Sequence, residues 1–156
     1  MHPDKIPKLL YELIKNSRRS DRDLAKVLGF SQPTVTRTRR KLEDDQFVRQ
    51  YTAIPDFTKL GFELTAFTFT QWSPGEGRAE AAYKWLETDP RVIFVAEGSG
   101  LDGKHAVIMT MHKNYADYSD FVIELRQKAP VESSVPFLAA LANVRKHLNF
   151  ASLQDV

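Results

Sequence analysis

Apolar residues recur along this chain with two different rhythms, and the change between them divides it. From Asp4 to about Asn16, Ile6, Leu9, Leu10, Leu13 and Ile14 share one stripe at helical spacing, which predicts a core-facing helix. Leu24, Val27 and Leu28 make a second, shorter stripe. Ser20 stands before it as a predicted cap, with Asp23 three residues on as a capping-box acid. Gly29 falls where a helix end favours positive φ, and Ser31 predicts a second cap before Pro33 in the first turn of a further helix. That helix, from Gln32 to about Glu43, puts Val35 and Leu42 on one face and Pro33, Thr36, Arg37 and Arg40 on the other. Two short helices around a tight turn, the second one basic, form the pattern of a helix-turn-helix, whose second helix enters a DNA major groove.

After a polar turn, Phe47 to Ile54 (FVRQYTAI) predicts a short strand or wing, broken by Pro55. The boundary falls here: residues 1–55 as a winged helix-turn-helix domain, 56–61 as linker, 62–156 as a second domain. The rhythm then turns to period two. Leu64–Trp72 (LTAFTFTQW) alternates as a half-buried strand, and Arg78–Glu87 follows as a helix with Ala81, Ala82, Trp85 and Leu86 inward. Arg91–Gly98 is an apolar strand and Gly98–Gly103 a glycine-rich loop. His105–Met111, apolar on both faces, predicts an internal strand. Asn114–Lys128 is a helix turning Tyr118, Phe121, Val122 and Leu125 inward, and Ser133–Ala140 a last strand. The order β-α-β-β-α-β is that of a ferredoxin-like sandwich, so the fold class is α+β. One sheet face stays uncovered in that arrangement, and a second copy of the domain is the usual cover. The tail, residues 141–156, reads equally as helix or as continued strand.

Charge sharpens the division. The net charge of the 156 residues is only +2, but residues 1–55 hold 12 Lys and Arg against 7 Asp and Glu, and the remainder holds 10 against 13. Affinity for nucleic acid depends on such local clustering more than on the sum. A basic helix face is most simply a solvated surface; here Ser31, Gln32, Thr34 and Thr36 add short donors and acceptors at the end where base edges are met. Arg37 and Arg40 are the candidates for base or phosphate forks, and Arg39, Lys41 and Arg49 for phosphate contacts. Zero cysteines exclude disulfides, Cys-ligated zinc and thiol catalysis. No apolar run approaches the ~20 residues of a membrane helix. Without a signal-peptide core at the N-terminus, a cytoplasmic protein is expected.

Enzymatic motifs are missing. Gly98-Ser99-Gly100 lies between strands, unlike a nucleophile elbow, and the loop lacks the Lys-Ser/Thr of a phosphate-binding loop. His2, His105, His112 and His147 lack metal-ligand spacing, so neither metal nor cofactor is expected.

The chain resembles the leucine-responsive regulatory protein/AsnC family of transcription regulators over nearly its whole length. The likeness rests on Asp23-Leu24-Ala25 with Val27-Leu28-Gly29, on Ser31–Arg37 (SQPTVTR), and on Arg40 with Leu42-Glu43. It continues through Tyr51–Ile54 and Leu60-Gly61 into the second domain. The resemblance implies a homodimer, in some members assembled into tetramers or octamers, that binds double-stranded DNA through its N-terminal domains. It also implies an amino acid or related small effector held by the second domain, with Gly98, Gly100 and Asp102 as its residues here. The sequence departs from the family where an apolar residue is replaced by Arg39 and a glycine by Gln46, and where the effector loop is longer and lacks its aromatics. A non-specific DNA-compacting protein of the same build, and a small-molecule sensor with weak DNA binding, remain alternative readings.

Overall fold

Side-chain capping and a left-handed glycine bracket the second helix. A computed structural model of the chain describes residues 5–75, 77–146 and 150. Helices α1 (Lys5–Lys15), α2 (Asp21–Leu28) and α3 (Gln32–Asp44) form the first of two compact units, up to Ile54. The Ser20 hydroxyl accepts from the Asp23 N–H and donates to the Asp23 carboxylate at 2.6 Å. Gly29 has φ 68°, and the Phe30 N–H reaches back to the Ala25 carbonyl at 3.0 Å, which turns Phe30 onto the core. That core joins Leu9, Leu13, Leu24, Ala25, Val35 and Leu42. Two stripe residues fall outside it. Val27 is 59% exposed and its place is taken by Ala25, while Ile14 is also exposed. The buried arc of α2 therefore runs through positions 24, 25 and 28 and leaves position 27 on its flank.

No wing strand forms. Residues 47–56 have no ladder partner among the described residues. The Val48 N–H bonds the Leu42 carbonyl at 3.0 Å, and Phe47 and Ile54 are exposed. The β-branched and aromatic composition of the segment favoured a strand, but a strand needs a neighbour to satisfy its backbone.

The second unit spans Pro55–Arg145. Residues 56–61, expected as linker, hold a 3₁₀ turn at Thr58–Leu60: the Asp56 carboxylate accepts from the Thr58 N–H and hydroxyl, and Phe57 packs edge-on against Phe62. Then come β1 (Leu64–Trp72), α4 (Arg78–Thr88), β2 (Val92–Gly100), β3 (Lys104–His112), α5 (Tyr115–Lys128) and β4 (Val131–Ala140). The sheet is antiparallel with order β2-β3-β1-β4, so β3 is internal as its apolar run predicts. The chain continues past β4 into a 3₁₀ turn at Leu141–Asn143; beyond Lys146 the tail lies, except for Phe150, outside the described residues.

Both helices pack on one sheet face, over Trp72, Ala106 and Ile108, with Ala82, Leu86, Phe121 and Leu125 inward. Ala81 is exposed, against expectation, because the buried arc of α4 is centred on Ala82 and Leu86. Under the helices, β1 presents Thr68 and Thr70 and β3 presents Thr110, all fully buried. The aromatic residues of β1 face the other way. Phe67 is in register with Met109 and Phe137, and Phe69 with Val107 and Val135, so these share the uncovered face.

His112 ends β3 fully buried against the rings of Tyr118 and Phe121. Its Nε2 lies 2.7 Å from the Thr110 hydroxyl; Nδ1 has no hydrogen-bond partner, and Asp117 Oδ2 is 3.7 Å away. Burial pushes the imidazole below its ordinary pKa, outweighing the Asp117 carboxylate, which pulls it up. The unfolded chain therefore binds a proton that the folded unit resists. This stabilisation is complete above the ordinary histidine value, about 6.5, and fades as pH falls from there toward the lower folded value. Denaturant midpoints of this unit should drop between about pH 7.5 and about pH 5.5, and drop less in His112→Gln. An equal drop in both would assign the effect to other groups.

Candidate nucleic-acid interface

Helix α3 starts with Pro33 in its first turn, where the missing N–H costs nothing. Ser31 holds the cap position but its hydroxyl does not cap. It lies 2.8 Å from the Thr34 hydroxyl, and the Ser31 carbonyl takes the N–H groups of Thr34 and Val35. Val35, Thr38 and Leu42 are buried, which fixes the roll of the helix. Gln32, Arg37 and Arg40 are left exposed along its opposite side, with Ser31 at the end, and Arg49 is exposed beyond it. Lys41 is half-buried and pairs with Asp45 at 3.8 Å.

Two residues of the expected DNA-facing set are placed otherwise. Thr36 donates its hydroxyl to Asp21 Oδ2 at 2.7 Å, and Arg39 donates Nε to Asp21 Oδ1 at 2.7 Å. Arg39 also reaches the Arg19 carbonyl at 3.1 Å and the Tyr51 hydroxyl at 3.4 Å, and its side chain is only 18% exposed. It is a strut between α3 and the start of α2. The rows of a helix at i and i+3 make Thr36 and Arg39 neighbours, so one carboxylate can collect both. Tyr51 extends the network by donating to Glu43 at 2.8 Å; burial and the Glu43 carboxylate hold its phenol above the ordinary range. Sequence reasoning missed Asp21 and Tyr51. Their signal was Arg39 itself, a charge at a position the helix period turns partly inward.

Past the helix, Gln46 adopts φ 58°, the left-handed conformation that glycine takes most easily. Its backbone N–H and its side-chain amide both donate to the Glu43 carbonyl, at 3.1 and 3.2 Å, which closes the helix end.

In the second unit, the glycine-rich segment is shorter as a loop than expected. β2 runs through Gly98 to Gly100, Gly100 pairs with Lys104, and only Leu101, Asp102 and Gly103 form the turn, all at positive φ. Asp102 is thus a turn former, as such residues commonly are. A cleft of about 170 Å³ at the hairpin is lined by Phe69, Gly98, Ser99, Gly100 and Lys104 among others, without Asp102. Lys104 donates to Ser133 at 2.9 Å, and Ser133 to Gln71 at 3.1 Å. Lys104 was not singled out from the sequence, where it is one lysine beside a turn.

A helix-turn-helix with an arginine-bearing second helix, followed by a four-stranded antiparallel sheet with two helices, defines a DNA-binding regulator of transcription. Residues 5–43 match the AsnC-type helix-turn-helix domain. The chain is 30% identical over 120 residues to the leucine-responsive regulatory protein of Rhizobium meliloti, covering 75% of this chain and 74% of that protein. It is 36% identical over 115 residues to an HTH-type transcriptional regulator of Pyrococcus horikoshii, covering 74% and 75%. The fold is shared with a transcriptional regulator of Neisseria meningitidis solved as a complex with L-Met, at TM-score 0.86 and 18% identity, over 97% of this chain and 96% of that one. The protein belongs to the leucine-responsive regulatory protein/AsnC family. These relatives are transcription regulators, not enzymes. Among the described residues, no helix is long and apolar enough to cross a membrane.

Proposed function

We propose that this regulator reads a pseudo-palindromic DNA site as a dimer, one α3 helix per half-site. The observation that carries the reading is the split of α3: Val35, Thr38 and Leu42 buried, Gln32, Arg37 and Arg40 exposed. Arg37 and Arg40, with Gln32 and Thr34, carry base discrimination; Ser31, Lys41 and Arg49 add phosphate contacts. Thr36 and Arg39 act on DNA through Asp21, by fixing how α3 is presented. Half-sites about one helical turn apart, roughly 10 bp, suit two such helices. In competition between a selected operator and random DNA at fixed salt, Arg37→Ala should lose roughly 1–3 kcal/mol and relax one base preference. Unchanged affinity and selectivity would overturn the assignment. An equal affinity of the parent for random DNA would favour the DNA-compacting alternative.

The uncovered sheet face supports the dimer. Phe94 is 53% exposed and Phe137 63%, and they join Val135 and the half-buried Phe67, Phe69 and Met109 in one apolar surface. Such a surface is costly in water and gains from burial in proportion to its area. Sedimentation at micromolar protein should give the dimer mass, and Phe137→Asp should shift it toward the monomer. A parent that sediments as a monomer would rule the arrangement out.

The hairpin cleft is the proposed effector site, with Gly98 and Gly100 letting a small ligand approach the backbone and Lys104 meeting a carboxylate. The Neisseria relative's L-Met complex supports an amino acid. Selecting bound genomic fragments with and without amino acids reads target and effector together; an identical set under every condition would remove the effector from the proposal.

A further inference from the structure

A second cavity lies on the helix-covered side of the sheet, between α5 and the edge strand β4, with a volume of about 260 Å³. Its lining combines two chemistries. Val122, Leu125, Pro136 and Leu138 give it an apolar wall, while Thr68, Ser119, Ser134 and Arg126 line it with polar groups. Thr68 is 2% exposed, and its hydroxyl makes no hydrogen bond of good geometry, although it stands near enough to the Tyr118 phenol to draw it down. Arg126 makes neither a hydrogen bond nor an ion pair with another described residue, although Lys128 one turn-edge away pairs with Glu124. Burial and the neighbouring Tyr115 push the Tyr118 phenol up, and Thr68 and then the charge of Arg126 draw it down.

We propose that this cavity binds a small monocarboxylate with a branched aliphatic body and no amine, at a site separate from the hairpin cleft. The guanidinium of Arg126 is a planar two-pronged donor that matches a carboxylate, and the neighbouring hydroxyls can complete its hydrogen bonds. Arg126 is the one cation among the described lining residues, which disfavours phosphates and dicarboxylates. No Asp or Glu is among the described lining residues, so the ammonium of an amino acid would be desolvated without an anion to meet. The apolar wall takes the hydrocarbon end, as small-ligand sites do. A peptide strand is a poor occupant because Pro136 interrupts the edge that it would have to pair with.

The test is calorimetry on the full chain with three probes that differ only in the head group: 4-methylpentanoate, 4-methylpentanamide and leucine. The acid should bind, and the amide and leucine should bind at this site at least roughly tenfold more weakly. Arg126→Gln, an exposed position whose change should leave thermal unfolding unaltered, should weaken the acid roughly 10- to 100-fold. Lys104→Gln, in the other cleft, should leave the acid's affinity as in the parent. The proposal is overturned if the acid does not bind or if its affinity survives Arg126→Gln. It is equally overturned if the loss comes with Lys104→Gln, or if leucine binds as well as the acid in an Arg126-dependent way.

Discussion

Leu42→Ala should unfold the helix-turn-helix unit and abolish DNA binding while the sheet unit stays folded. Leu42 is fully buried near the end of α3 and shares a core with five other buried residues among those described. Truncating a buried leucine costs roughly 2–5 kcal/mol, part for lost transfer and part for the cavity. A unit of some fifty residues has about 3–8 kcal/mol to lose, at about 0.05–0.15 kcal/mol per residue. The loss therefore approaches the whole stability. Backbone NMR should show the signals of α1–α3 collapse to unfolded positions while those of β1–β4 hold. Retained operator binding by the variant would mean that Leu42 does not anchor the helix.

Phe121→Ala should be the most damaging single truncation in the second unit, at roughly 3–5 kcal/mol. The ring is fully buried, stacked on Trp85 at 6.1 Å between centroids, with His112 at 5.6 Å on another side. The Arg91 guanidinium lies 5.1 Å from its centroid, held there by Asp89 at 2.6 Å and Glu124 at 3.0 Å. Removing the ring opens a cavity under the imidazole and strips the apolar cover from a charged network. Chemical denaturation should show the loss in the midpoint with the slope retained. Phe121→Leu should recover much of it. A loss below about 1 kcal/mol for the alanine variant would show that α5 collapses into the space.

Much of this was legible in the chain because local chemistry and tertiary packing agree there. Ser20, Gly29 and Pro33 each act within a few residues of themselves, so their positions mark the ends of α2 and the start of α3. The β-α-β-β-α-β order followed from the change of period, and every strand of it forms. What the sequence hid depends on partners distant along the chain. Asp21 meets Arg39 across eighteen positions, and periodicity cannot report that. The Phe and Thr alternation of β1 shows two faces without saying which one the helices cover. The expected wing failed for the same reason, since composition favours a strand but cannot supply its neighbour. For the site, exposure of Gln32, Arg37 and Arg40 follows directly from the helix period, whereas the engagement of Thr36 and Arg39 needed coordinates.

The Asp21–Arg39 tie has a consequence for how relatives diverge. Where family members carry an aliphatic side chain in place of Arg39, an acid at the place of Asp21 would be left half-buried with no cation, a burden that selection removes. The two columns are expected to change in concert across an alignment, acid with arginine or neutral with aliphatic, so that the mixed combinations are depleted.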